Sequence, residues 1–133
     1  MRDFYAATYG VLVNDPGVAA IVGTRLYENE APQKPVFPYA VYVKVSNSSV
    51  MRGIQQIRLQ VNIVDDKKNS EKVLTALDAV ENAFLSAQRY TVYGSSNAVV
   101  LRRHEKFDNE ILNDEGESFG WSGVIDFDIL YSK

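Results

Sequence analysis

The 133-residue sequence has no cysteine and a single histidine, His104. Disulfides and thiolate ligands are excluded, and a zinc site would have to take its remaining ligands from carboxylates. The lack of cysteine leaves the redox compartment undetermined. Long apolar runs are missing as well, none approaching the ~18 residues that a membrane span needs. The start, Met1-Arg2-Asp3-Phe4, sets an acid beside its base with no apolar segment behind it, so it does not read as a signal peptide. Nor is there an excess of positive charge. Fourteen Lys and Arg against 17 Asp and Glu give a net charge of -3, which creates no overall field to draw in nucleic acid or anionic lipid. The glycines lie singly, never in GxGxxG or GxxxxGK spacing, so there is no nucleotide-binding fingerprint. What is present is an ordinary globular mixture, 46% hydrophobic and 23% charged. It excludes disorder as the dominant state and, at this length, implies one core in a single domain, 1–133.

Periodicity supplies the elements. Phe4, Thr8, Val11 and Leu12 recur at helical spacing and predict a short amphipathic helix over 3–13. Asp15-Pro16 then caps and opens a second short helix that ends at Gly23. The stretch 28–38 holds three of the four prolines and reads as an extended connector. Tyr39 to Ser46 alternates, with Tyr39, Val41, Val43 and Val45 on one side and Ala40, Tyr42 and Lys44 on the other. Residues 54–64 alternate too, Ile57, Leu59, Val61 and Ile63 facing one way. With Ser46 to Gly53 read as a turn, the two form a long antiparallel hairpin whose distal end is expected to project beyond the core.

Asn69 or Ser70 caps the strongest helix, in which Val73, Leu77, Val80 and Phe84 keep a 3.6-residue period reinforced by Leu74, Ala76 and Ala83. Strands are expected at 90–93, 98–106 and 123–131, with Gly94 to Asn97 as a turn. Residues 107–120 carry Asp108, Glu110, Asp114, Glu115 and Glu117 without a Lys or Arg, and read as an acidic loop. The fold class is therefore α+β: a mainly antiparallel sheet of four to five strands with a long hairpin, packed on one long helix plus short N-terminal helices.

Chemistry-bearing patterns are thin. His104 sits in Arg102-Arg103-His104-Glu105-Lys106 and reads as a solvated strand residue. The acids of the 107–120 loop lack the alternate spacing of a calcium loop. Asp126 and Asp128 alternate with apolar residues and read as the wet face of a half-buried strand. Arg102, Arg103 and Lys106 make the only dense basic patch, with Tyr90 and Tyr93 nearby as stacking platforms, but successive strand residues face opposite ways and split it. No catalytic, metal-binding or cofactor-binding residue is assigned.

The run Asp15-Pro16-Gly17-Val18-Ala19-Ala20-Ile21-Val22-Gly23-Thr24-Arg25-Leu26-Tyr27, followed by Ala31-Pro32-Gln33 and Pro38-Tyr39-Ala40-Val41-Tyr42, resembles the opening of the tail-completion protein family of long-tailed bacteriophages. The resemblance continues through Arg58-Leu59-Gln60-Val61-Asn62-Ile63, Val80-Glu81-Asn82-Ala83-Phe84 and Ser122-Gly123-Val124-Ile125-Asp126-Phe127. The sequence departs from the family in the long turn at Ser46 to Gly53 and in the length of the last loop. The resemblance implies a non-enzymatic α+β subunit without cofactor, encoded by a phage or prophage. It caps the head-proximal end of the tail tube as a six-fold ring and mediates tail-to-head joining. Its implied partners are the tail tube protein and the head-tail connector protein. On the same resemblance, DNA is expected to pass through without specific binding, no membrane is implied, and the ring is expected to assemble in the host cytoplasm and end in the virion. Whether this member stops tube growth, bonds to the connector or does both stays open.

Two other readings stand beside this one. A head-tail connector stopper or another minor tail subunit shares the size, acidity and lack of catalytic groups, and a small metal- or ligand-binding hydrolytic domain using the acidic loop and His104 comes from a different class. A ring built from head-to-tail contacts needs two different complementary patches on each subunit. The expected patches are the hairpin, with Tyr39, Tyr42 and the apolar tip Val50 and Met51, and the N-terminal helix with Leu26 and Tyr27. Asp108, Glu110, Asp114, Glu115 and Glu117 are expected to face the DNA passage or a partner.

Overall fold

The computed structural model describes residues 2–66, 70–91, 97–112, 116 and 118–132. The elements run in the order α1 (Arg2–Val13), α2 (Pro16–Val22), β1 (Leu26–Glu28), β2 (Tyr39–Met51), β3 (Ile54–Asp65), α3 (Glu71–Ala87), β4 (Arg89–Thr91), β5 (Asn97–Leu112) and β6 (Ser118–Ser132). The fold is α+β. Four long strands form the body of one sheet in the order β1-β2-β3-β6-β5-β4, and two three-residue strands at its edges bring it to six. All pairings are antiparallel except β1 with β2.

Local signals account for the helices. Asp15 Oδ2 accepts the Val18 N–H at 3.0 Å, Pro16 opens α2, and Gly23, at φ 59°, closes it with its N–H on the Ala19 carbonyl. Ser70 occupies the N-cap position of α3, yet its hydroxyl makes no capping hydrogen bond; Asn69 lies outside the described residues. Along α3, Val73, Ala76, Leu77, Val80 and Phe84 are buried, whereas Leu74 lies off the stripe and is exposed. The buried side rests on the face of the sheet formed by Ile57, Leu59, Val61 and Ile63 of β3, Ile125, Phe127, Ile129 and Tyr131 of β6, and Ala98 and Val100 of β5. Phe84 stacks against Phe127 at 4.8 Å between ring centroids, and Phe4 of α1 meets both Tyr90 and Tyr131.

The structure corrects the hairpin in two respects. Ser46 to Met51 is strand, not turn, so the turn shrinks to Arg52-Gly53 with Gly53 at φ 80°. Ser and Asn are weak strand formers, but backbone pairing to β3 overrides that preference, with one-residue bulges near Val45 and Val50 absorbing the misfit. The hairpin does not project as a free arm, because β3 pairs with β6 as far as Ile54 opposite Ser132. On β2 it is Ala40 and Tyr42 that face the core, while the more apolar stripe of Tyr39, Val41 and Val43 lies half-buried on the side away from the helices.

The last loop shortens likewise. β5 runs on to Leu112 and β6 begins at Ser118, so Asp108 and Glu110 are strand residues; Asp114, Glu115 and Glu117 lie outside the described residues, as do Tyr93 and residues 94–96 of the turn expected over 94–97, whose last residue, Asn97, opens β5. β1 covers only Ala40 to Tyr42 of the outer edge of β2, and β4 covers only Asn97 to Val99 of β5. Among the described residues, the rest of both outer edges has no strand partner. Beyond β1, the Lys44 N–H donates to the Tyr5 hydroxyl at 3.1 Å, pinning α1 to the edge of β2.

Candidate interaction surfaces

The expected interface residues separate into three places. Leu26 and Tyr42 belong to the core, only 6% and 4% exposed. Burial, followed by the nearby Glu28, Tyr9 and Tyr5, pushes the Tyr42 hydroxyl up to about 12. The sequence could not separate them from Tyr27 and Tyr39, since one step along a strand exchanges the faces.

Tyr27 and Tyr39 do come together. Their rings lie 6.1 Å apart on the side of the sheet away from the helices, where Phe37 stacks on Tyr39 at 5.4 Å and Phe119 on Phe37 at 6.1 Å. Partial burial raises the Tyr39 hydroxyl above its ordinary value. The sequence reading missed Phe37 and Phe119, having placed one in the connector and the other in the acidic loop. An aromatic residue two before a strand, as Phe37 is, was the one available signal.

Val50 and Met51 lie at the opposite end of β2, 51% and 59% exposed beside the Arg52-Gly53 turn. Tyr39 pairs with Val64 and Met51 with Ile54, ten positions apart along β3, a distance of about 34 Å. The aromatic cluster and the hairpin tip are therefore two distinct surfaces.

The polar residues of β5 and β6 are arranged quite differently from a wet strand face. Asp126 and Asp128 are buried, which corrects the expectation of solvated acids. β5 makes two bulges beside them, between Val100 and Arg102 and between Arg103 and Glu105. At the second, Asp126 accepts the Glu105 N–H at 2.7 Å and so takes up a group that the disrupted ladder would leave unpaired. Asp128, 1% exposed, takes Arg58 on one oxygen at 3.1 Å and Arg102 on the other at 2.9 Å. Because the second bulge shifts the alternation by one, Arg103 and Lys106 fall on the same side and both reach Glu81 of α3, and Lys106 also reaches Asp78. The three cations of the basic patch are thus all committed to carboxylates, Arg102 on one face of the sheet and the other two on the opposite face.

Burial alone would raise the Asp128 carboxyl, but the hydrogen bonds and charges of Arg102 and Arg58 outweigh it and hold the group below its ordinary value. A carboxyl lowered by folding contributes stability that is complete above the ordinary carboxylate range and is lost as the pH falls through the folded-state value. Asp128→Asn is expected to lose about 1–3 kcal/mol at neutral pH and to show a shallower decline in melting temperature between pH 5 and pH 2 than the wild type. Parallel declines for the two proteins would show that the clasp does not stabilise the fold.

His104 is exposed at the second bulge, as its strand context predicted. Among the described residues, no group of three or more His, Cys, Asp or Glu side chains is placed to hold a metal ion, and no helix is long and apolar enough to cross a membrane. An open cleft of about 390 Å³ lies where α1, α2 and α3 meet, between Val11, Asn14, Pro16 and Ala83. Its one acid, Asp15, is already committed to capping α2.

Comparison with known proteins agrees with this architecture. No curated protein matches the sequence. Among solved structures, the fold is similar to a chain of the virion of a native gene transfer agent (GTA) particle, at a TM-score of 0.69 and 21% identity over 96% of this chain and 91% of that one. The family model described as tail completion protein gp17 matches residues 6–132. With all of the buried core except Phe4 and Tyr5 inside that match, the chain belongs to the tail completion protein gp17 family.

Proposed function

We propose that this chain is a structural, non-enzymatic subunit of a long-tailed phage or prophage particle, which caps the head-proximal end of the tail tube as a ring of six copies and mediates joining to the head. The single observation that carries the reading is the family match from residue 6 to residue 132. The likeness to a chain of the GTA virion supports the fold in the same setting. In this reading the two separated surfaces serve different neighbours. The hairpin tip with Val50 and Met51 meets the tail tube protein or the next subunit. The aromatic cluster around Tyr27 and Tyr39 meets the head-tail connector protein. DNA passes through the ring without specific binding.

The test is negative-stain electron microscopy of lysates in which the gene is disrupted, beside a complemented control. DNA-filled heads next to unattached tails are the expected result, and abnormally long tails would add termination to joining. Intact virions at normal titre would overturn the reading.

A further inference from the structure

Among the described residues, the sheet ends on two long edges that lack a strand partner over most of their length and that fit one another. β2 and β5 run in opposite directions, because the order β2-β3-β6-β5 contains three successive antiparallel pairings. A second copy related by rotation about an axis near the strand direction therefore brings its β5 edge antiparallel to the β2 edge of the first. The short strands decide where the edges can meet. β1 blocks Ala40 to Tyr42 of β2, and β4 blocks Asn97 to Val99 of β5, leaving Val45 to Met51 on one edge and the part of β5 beyond Val100 on the other.

Charge is what usually guards such edges against pairing. Val45 to Met51 carries none. On β5 the cations are tied to carboxylates of their own chain, Arg102 to Asp128, and Arg103 and Lys106 to α3, while the segment keeps the exposed acid Glu105. From these features we infer that the outer edge of Ser46 to Met51 pairs with Arg102 to Phe107 of a second copy of this chain, so that the sheet runs on from subunit to subunit. The inference deepens the ring reading above and rests on it.

The register makes the pairing geometrically specific. Met51 lies level with Ser132 through Ile54, and Arg102 lies level with Asp128, four positions lower along β6. Opposing Met51 to Arg102 therefore staggers the neighbour by about four residues, ~14 Å, across a repeat of four strand spacings, ~19 Å. The resulting tilt is about 35°, at the lower end of the tilts at which sheets close into barrels. The same stagger carries the neighbour's β4 past the hairpin tip, and it brings the neighbour's Glu110 level with Tyr42, so beyond Phe107 the neighbour's β5 has to splay away from β1.

The absence of native cysteine makes a clean test available. Ser48 and Glu105 are both exposed and lie on the same side of the sheet, Ser48 opposite Gln56 and Glu105 opposite Asp126. Within one chain they are about 20 Å apart across three strand spacings and four residues of offset, too far for a short bismaleimide. The doubly substituted chain Ser48→Cys/Glu105→Cys is carried into phage particles, which are purified, treated with a short bismaleimide and run on a denaturing gel.

A ladder of multimers is expected from the double variant, ending at one highest band, and monomer from either single variant. Monomer alone from particles that contain the double variant would overturn the edge pairing and leave the ring reading standing. Absence of the wild-type chain from purified particles would overturn the tail reading itself. Should the double variant fail to enter particles, amide hydrogen exchange of the wild-type chain, free against particle-bound, decides. Joint protection of 46–51 and 102–107 supports the pairing, and unchanged exchange in both segments overturns it.

Discussion

Gly120→Ala is expected to lower the unfolding free energy by about 2–3 kcal/mol, read as a shift of the urea midpoint. A Cβ at this position would overlap the Asp65 carbonyl oxygen and stand 2.9 Å from the Asp66 Cα. These are backbone atoms at the end of β3, where Asp65 pairs with Trp121, and they cannot rotate aside. Position 120 does not require a left-handed conformation, so the expected loss comes from contact alone. Gly123 is a useful contrast. There the nearest atoms belong to the buried Leu77 and Val73 side chains, at 2.6 and 2.7 Å, and because α3 can shift slightly off the sheet where backbone of a paired strand cannot, Gly123→Ala is expected to lose less than Gly120→Ala. A wild-type midpoint for Gly120→Ala would mean that β6 does not pass over the end of β3 at this distance.

The largest functional effect is expected at the hairpin tip. Val50→Asp and Met51→Asp place a charge on side chains that are already more than half exposed. The unfolding free energy should change by no more than about 0.5 kcal/mol, as for most surface substitutions. A carboxylate pressed into an apolar contact without a partner is costly, so both variants are expected to lose incorporation into particles while the isolated protein melts like the wild type. Particle yield in a complementation assay, set beside thermal melts, separates the two readouts. Full complementation by both variants would remove the tip from every interface of the particle.

Position explains the different legibility of the two ends of the chain. Asp15-Pro16 and Gly23 announced α2 because caps act within four residues, and the spacing of Val73, Leu77, Val80 and Phe84 announced α3 because a helix has one period. β3 was equally plain, since its alternation is unbroken from Ile57 to Ile63. β5 was not, because its bulges near Leu101 and His104 shift the alternation twice and hide a 16-residue strand behind what reads as a basic patch and an acidic loop. The Ser-rich half of β2 was hidden for another reason. Residues of low strand propensity are held extended there by pairing to β3, and pairing is a property of two segments, not of one.

By itself, then, the sequence determined the α+β class, the three helices, the core face of β3 and, through the ordered run of motifs from Asp15 to Phe127, the family resemblance. All of these depend on interactions within a few residues or on patterns readable along one strand. Only the tertiary structure decided which aromatic residues gather on the surface and which enter the core, why Asp126 and Asp128 are buried, and where the two sheet edges lie open. Each of those outcomes turns on which residue of a distant strand stands opposite. A one-residue bulge changes that partner and, with it, the face to which every following side chain points.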